Sequence, residues 1–132
     1  MQKQVKMKLR AYTVDKMSFM LNKQFRAEPG QKVQIKPIFN REITKVNAQR
    51  FVNTVSVSLT NIEQDTPFYL DVQIYGVFDV EDWEDPQTNK FVIKNATDVL
   101  YPYLRTIVTT LTANGHVPPY VLPMANVDAI FH

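Results

Sequence analysis

The sequence has no cysteine, three glycines, two histidines and a single tryptophan in 132 residues. Without a thiol there is no disulfide, no thiolate metal site and no cysteine nucleophile. The glycines, Gly30, Gly76 and Gly115, are too far apart to form a phosphate-cradling loop. The histidines, His116 and His132, have no serine, carboxylate or further histidine spaced for catalysis or metal ligation, so both read as solvated. The acids Asp79, Glu81, Asp82, Glu84 and Asp85 lack the spacing and the glycine of a calcium loop. No apolar run reaches membrane-spanning length, and the opening MQKQVKMKLRAY interleaves charge with apolar residues, unlike a signal peptide. These absences imply no enzyme chemistry, no metal and no cofactor. They point to a cytoplasmic protein that acts through a surface.

Hydrophobic residues make up 45% of the chain and charged residues 21%, which is enough apolar material for one small core. The expectation is a single domain over residues 1–132 with a thin core and much apolar surface near solvent. The net charge of +2 conceals a division. Residues 1–50 carry twelve Lys or Arg against three acids, a net of +9, and residues 51–132 carry three against ten, a net of −7. Such asymmetry marks either a nucleic-acid surface or basic strands and acidic segments that lie together in the fold or across a subunit contact. The fifteen aromatics are not interleaved with basic residues as in an RNA-binding sheet.

Alternation dominates the first eighty residues. Val5, Met7, Leu9 and Ala11 alternate with Lys6, Lys8 and Arg10; the phase changes at Tyr12, and Met17, Phe19 and Leu21 resume it, so a bulge is expected near Asp15. After Pro29-Gly30, Val33, Ile35 and Phe39 form a second strand, with Pro37 arguing for a sheet edge or a strand break. Phe51, Val55, Val57 and Leu59 form a third, and Phe68, Leu70, Val72, Ile74 and Phe78 a fourth, with a hairpin connection at Asn61 to Pro67. Short connections imply an antiparallel sheet. Glu81 to Pro86 reads as a crossover loop. Helical spacing then runs from Asn95 through Val99 or Leu100, Tyr103 or Leu104, Ile107 or Val108, and Leu111 to a stop at Gly115, with Asn95 or Thr97 as N-cap and an irregular turn before Pro102. The tail is extended, and Asn126 to Phe131 has the pattern of a short second helix. The fold class is therefore α+β: a four-stranded antiparallel sheet, one long C-terminal helix and an extended tail.

In its last third the chain becomes specific. Leu100-Tyr101-Pro102-Tyr103-Leu104-Arg105, then Ile107, Gly115, Pro118, Leu122-Pro123 and Asn126-Val127-Asp128-Ala129-Ile130-Phe131, resembles the SecB protein-export chaperone family in order and spacing. Phe68 to Phe78 resembles that family's fourth strand, including the glycine ahead of an aromatic. The resemblance implies a homotetramer, a dimer of dimers, whose hydrophobic grooves hold unfolded polypeptides for the SecA translocase. Carried over by position, the client groove consists of Val33, Ile35, Phe39, Leu70, Val72, Ile74, Ile107, Leu111, Tyr120, Leu122 and Met124. A SecA-type partner surface on the sheet's other face consists of Tyr69, Asp71 and Asp15, with Met20 where an acid is usual. Export chaperones of this family are strongly acidic, whereas this chain has a pI near 8.8. Relatives that protect a labile antitoxin in a toxin-antitoxin module supply the second reading. A nucleic-acid-binding protein using the basic N-terminal half is the alternative from another class.

Overall fold

The structure, a computed structural model, describes residues 6–25, 35–59, 66–81, 86–115, 117–123 and 130–131. Four strands, β1 (Met7–Leu21), β2 (Ile38–Asn47), β3 (Arg50–Leu59) and β4 (Phe68–Val80), precede one helix, α1 (Pro86–Asn114). The sheet order is β1-β4-β3-β2 with every neighbouring pair antiparallel. The expected α+β architecture is present. Short connections hold only for the β2-β3-β4 meander, because β1 and β2 lie on opposite edges and residues 22–37 must carry the chain from one to the other.

Strict alternation makes β3 and β4 the centre. Phe51, Val55, Val57 and Leu59 and Phe68, Leu70, Val72, Ile74, Phe78 and Val80 are all buried on one face. Their neighbours along each strand are half-buried on the other. On β1 the pattern needs two corrections. The register shifts twice, at Arg10 and again at Asp15, where the sequence suggests only the second. Each extra residue flips the phase, so Met7, Leu9, Tyr12, Val14, Met17, Phe19 and Leu21 all pair with core-face residues of β4. Ala11 therefore pairs with Val77 on the outer face and leaves the Met7-Leu9 row.

β2 also departs from the expectation. Ile35 lies before the strand, which begins only after Pro37, and β2 is an edge, as a proline without an N–H requires. Val33 lies outside the described residues. β2 continues to Asn47, and a two-residue turn at Ala48-Gln49 leads into β3, with the Asn47 side chain accepting the Gln49 amide at 2.8 Å.

The helix, at 29 residues, begins nine residues earlier than the sequence suggests. It starts at Pro86, where a proline suits the first helical position because its missing N–H has no intrahelical partner there. Asn95 and Thr97 are consequently interior and cap nothing. Pro102 sits within the helix on its exposed side, leaving the Asp98 carbonyl without its usual backbone donor. The β-branched threonines are accommodated by bonding back: Thr97, Thr106 and Thr112 donate to the carbonyls of Ile93, Pro102 and Val108. Val92, Ala96, Leu100, Leu104, Val108 and Thr112, spaced by four, form the buried stripe over β3 and β4.

Two glycines set how closely α1 approaches. A Cβ on Gly76 would stand 2.9 Å from both Leu100 Cδ2 and Phe78 Cε2, and one on Gly115 would collide with the Phe19 ring. Gly76→Ala is expected to lose about 1–3 kcal/mol by overpacking, measured by urea denaturation. Ser56→Ala on the outer face should stay within about 0.5 kcal/mol. Equal losses would contradict the packing described.

Candidate polypeptide-binding surface

Beside the buried stripe, α1 carries two flanking rows at the same four-residue spacing. Val99, Tyr103, Ile107, Leu111 and Gly115 face β1: Tyr103 stacks on Tyr12 with ring centroids 4.4 Å apart, and Phe19 fills the space over Gly115. Thr97, Tyr101, Arg105 and Thr109 face the opposite way, toward β2 and the tail.

On the β1 side the helix stops short. Tyr12, Val14 and Met17 belong to the core-face row yet are 44%, 40% and 58% exposed, and Val99 and Tyr103 are exposed beside them. An apolar band thus runs along the edge strand and the helix flank. On the β2 side, Phe39 meets Phe131 edge-on at 5.3 Å, and Tyr101 completes an aromatic trio at 6.1–6.3 Å from both. Closer to the helix N-terminus, Asn53 Nδ2 and Arg41 Nη1 both donate to Thr97 Oγ1 at 3.2 Å.

The tail, 117–123, returns along the β2 flank as an extended chain. Tyr101 Oη donates to the Pro123 carbonyl at 2.6 Å, Arg105 Nε to the Leu122 carbonyl at 3.1 Å, and Thr109 Oγ1 to the Tyr120 carbonyl at 3.1 Å. The Tyr120 amide donates to Thr112 Oγ1 at 2.8 Å. Leu122 and Phe131 are completely buried, while Pro118, Pro119, Val121 and Pro123 are exposed.

The groove residues expected from the sequence are divided by this arrangement. Leu70, Val72, Ile74 and Leu122 are at most 1% exposed beneath the helix and tail, so they build the core and are closed to a client. Their burial follows from the helix lying on the same sheet face that the carried-over groove used. Ile107 and Leu111 are half-buried on the β1 flank; Ile35, Phe39 and Tyr120 are half-buried elsewhere against the core. Met124, like Val33, lies outside the described residues, as does most of the 126–131 segment. Sequence reasoning missed the open band of Tyr12, Val14 and Met17, which the two bulges create. It also left Thr109 and Thr112 unassigned, although Tyr, Arg and Thr at four-residue spacing beside an apolar stripe are a legible signal.

The sheet's outer face carries the charge. Lys16 Nζ lies 2.7 Å from Asp71 Oδ2, and Gln73 Nε2 donates to Asp15. Arg50 grips Asp79 through Nε at 2.7 Å and Nη2 at 3.4 Å, with Arg10 Nε 3.3 Å from the same carboxylate. The Arg50 hydrogen bond, joined by the charges of Arg50, Arg10 and Lys8, holds Asp79 below its ordinary pKa. The basic first half and acidic second half therefore meet as cross-strand pairs. Tyr69 and Asp71 face outward together as expected, and Asp15 is at the second bulge. Among the described residues there is no cluster of three metal-ligating groups and no helix long and apolar enough to cross a membrane.

The profile of the family described as preprotein translocase subunit SecB matches residues 1–132. The chain belongs to the SecB family. Among curated relatives, an uncharacterised protein of Methanocaldococcus jannaschii is 28% identical over 92% of this chain and 79% of the relative. The protein-export protein SecB of Saccharophagus degradans is 30% identical over 70% of this chain, and the matched part is 56% of that relative's length. This chain thus spans little more than half of that export protein. In fold, it is similar to a SecB-like chaperone of Mycobacterium tuberculosis solved with a peptide of the HigA1 antitoxin, with a TM-score of 0.71 and 17% identity over 90% of each chain. A Streptococcus agalactiae protein of unknown function aligns with a TM-score of 0.60 at 11% identity, covering 92% of this chain and all of that one.

Burial pushes the Tyr101 and Tyr120 hydroxyls above their ordinary value of 10.0. Stability from the neutral Tyr101 hydroxyl is therefore complete below that value and declines as pH rises through the raised pKa. Phenolate absorbance should show a late-titrating component that Tyr101→Phe diminishes, with a stability loss of about 0.5–1.5 kcal/mol for the hydrogen bond to Pro123. An unchanged titration curve in the variant would show that the hydroxyl is not held as described.

Proposed function

We propose that the chain is a SecB-like holdase: a cytoplasmic chaperone that keeps non-native polypeptides extended and unaggregated, without catalysis of its own. The observation that carries the proposal is the incomplete cover over the sheet, which leaves one apolar margin open along β1 and another, along β2, already seating an extended segment of chain. The β1 margin suits a second copy, giving a dimer and, by pairing of dimers, the homotetramer that the family resemblance implies. The β2 margin, with Ile35, Phe39 and Tyr120, suits the client.

Burial of a few hundred Å² of client apolar surface at roughly 25 cal/mol per Å² supplies several kcal/mol before ordering costs, enough for reversible holding. Clients bound for export and handed to SecA are the first reading, with Tyr69, Asp71 and Asp15 as the docking surface. Lys16 beside Asp71 lowers the negative potential of that surface. A client antitoxin is the second reading, favoured by the M. tuberculosis neighbour, whose structure contains an antitoxin peptide. Nucleic-acid binding is less well supported, because Arg10, Lys16 and Arg50 have acidic partners on their own sheet.

Aggregation of a chemically unfolded protein should be suppressed at low and at high salt alike, and the same protein folded should not bind. Phosphate-directed binding would instead fall steeply as salt rises. Met17→Glu places a charge on the β1 margin and should reduce the assembly to a smaller species on sizing, with the far-UV spectrum unchanged. A wild-type protein that is monomeric, or that binds nucleic acid and ignores unfolded protein, would refute the proposal.

A further inference from the structure

The bonds that hold the tail have a property that its own anchoring does not require. All four go to main-chain atoms: the helix offers three donors, Tyr101 Oη, Arg105 Nε and Thr109 Oγ1, and one acceptor, Thr112 Oγ1. They step along α1 by four, four and three residues, about 6, 6 and 4.5 Å. Their partners in the tail are the carbonyls of Pro123, Leu122 and Tyr120 and the amide of Tyr120, so the row follows the main chain of an extended segment that runs antiparallel to the helix. Side-chain identity is read in the tail at Leu122, which is buried, and in part at Val117 and Tyr120, which are half-buried against the core, while Pro118, Pro119, Val121 and Pro123 point to solvent. Three of those exposed positions are prolines, which have no N–H to contribute.

We propose that Tyr101, Arg105, Thr109 and Thr112 form a backbone-reading track for an extended segment of a partner polypeptide, and that the tail 117–123 occupies this track in the free chain as a competing self-ligand. The inference rests on the holdase reading and gives it a recognition chemistry: a requirement for extended backbone and for apolar residues at the positions of Leu122 and, less strictly, Tyr120 and Val117, with tolerance of sequence between them. A folded protein has its backbone groups paired and cannot satisfy the track. The tail lowers apparent client affinity by the ratio of docked to undocked forms, so release of the tail is the regulated step.

Thr106 and Val121 line one cleft of about 420 Å³ with Pro102, Arg105, Thr109 and Thr110. Because the chain has no cysteine, Thr106→Cys with Val121→Cys creates a single oxidisable pair that locks the tail on the helix. The probe is a fluorescein-labelled unfolded peptide rich in leucine and valine. The oxidised form should bind it about tenfold or more weakly than the reduced form, at equal assembly size. In the wild-type protein, saturating peptide should accelerate hydrogen exchange at the Tyr120 amide, which Thr112 otherwise protects. This second readout decides the matter alone if the disulfide does not close. Equal affinity in both redox forms, or a Tyr120 amide that stays protected under saturating peptide, overturns the track while leaving the holdase reading standing. Failure of the wild-type protein to bind the peptide or to suppress aggregation overturns the holdase reading, and the track with it.

Discussion

A single helix is too narrow for the sheet it covers. Four strands about 4.8 Å apart span some 15–20 Å, whereas a helix with its side chains is about 10 Å across. The core-facing stripe Val92, Ala96, Leu100, Leu104 and Val108 seals β3 and β4, whose inward residues are fully buried. Both edges are left over. At β2 the shortfall is made up by Phe39, Phe131 and the returning tail; at β1 it is not made up, and Tyr12, Val14 and Met17 remain open on what is otherwise the core face. The binding proposed for the chain rests on this deficit of cover.

The helix is held in place by groups that cannot slide. Gly76 admits Leu100 and Gly115 admits Phe19, so displacement along the axis meets strand side chains. On the β2 side the fully buried Asn53 and Thr97 hydroxyl, joined by Arg41, form a polar contact inside an apolar layer. Asn53 Oδ1 has no protein partner there, which makes the cluster a specifier of position more than a source of stability. The outer face solves a different problem. Its cross-strand pairs, Lys16 with Asp71 and Arg10 and Arg50 with Asp79, neutralise a chain whose two halves have opposite charge.

The central strands were readable because β3 and β4 keep perfect alternation between a buried and a half-buried face. β1 was readable only in part. A bulge at Arg10 is invisible when the inserted residue is as polar as the face it interrupts, so Ala11 was assigned to the wrong row. The first nine residues of α1 are hidden in the sequence by Pro86 and the acids before it, which read equally as a loop. The carried-over groove shows where sequence stops: hydrophobic residues of β4 and of an exposed groove look alike, and only the position of α1 reveals that Leu70, Val72 and Ile74 are closed. Residues that act through main-chain contacts, such as Thr109, leave a weak compositional trace.

The central claim is that the apolar margin along β2, which the helix leaves to be covered by an extended segment, is what binds unfolded polypeptide. Calorimetric titration of an unfolded peptide into the protein, repeated across temperature and ionic strength, tests it directly. Burial of apolar surface requires a clearly negative heat-capacity change, with affinity nearly independent of salt. A heat-capacity change near zero, together with affinity that collapses as salt is added, would mean that charge on the outer face does the binding and that the apolar margins do not.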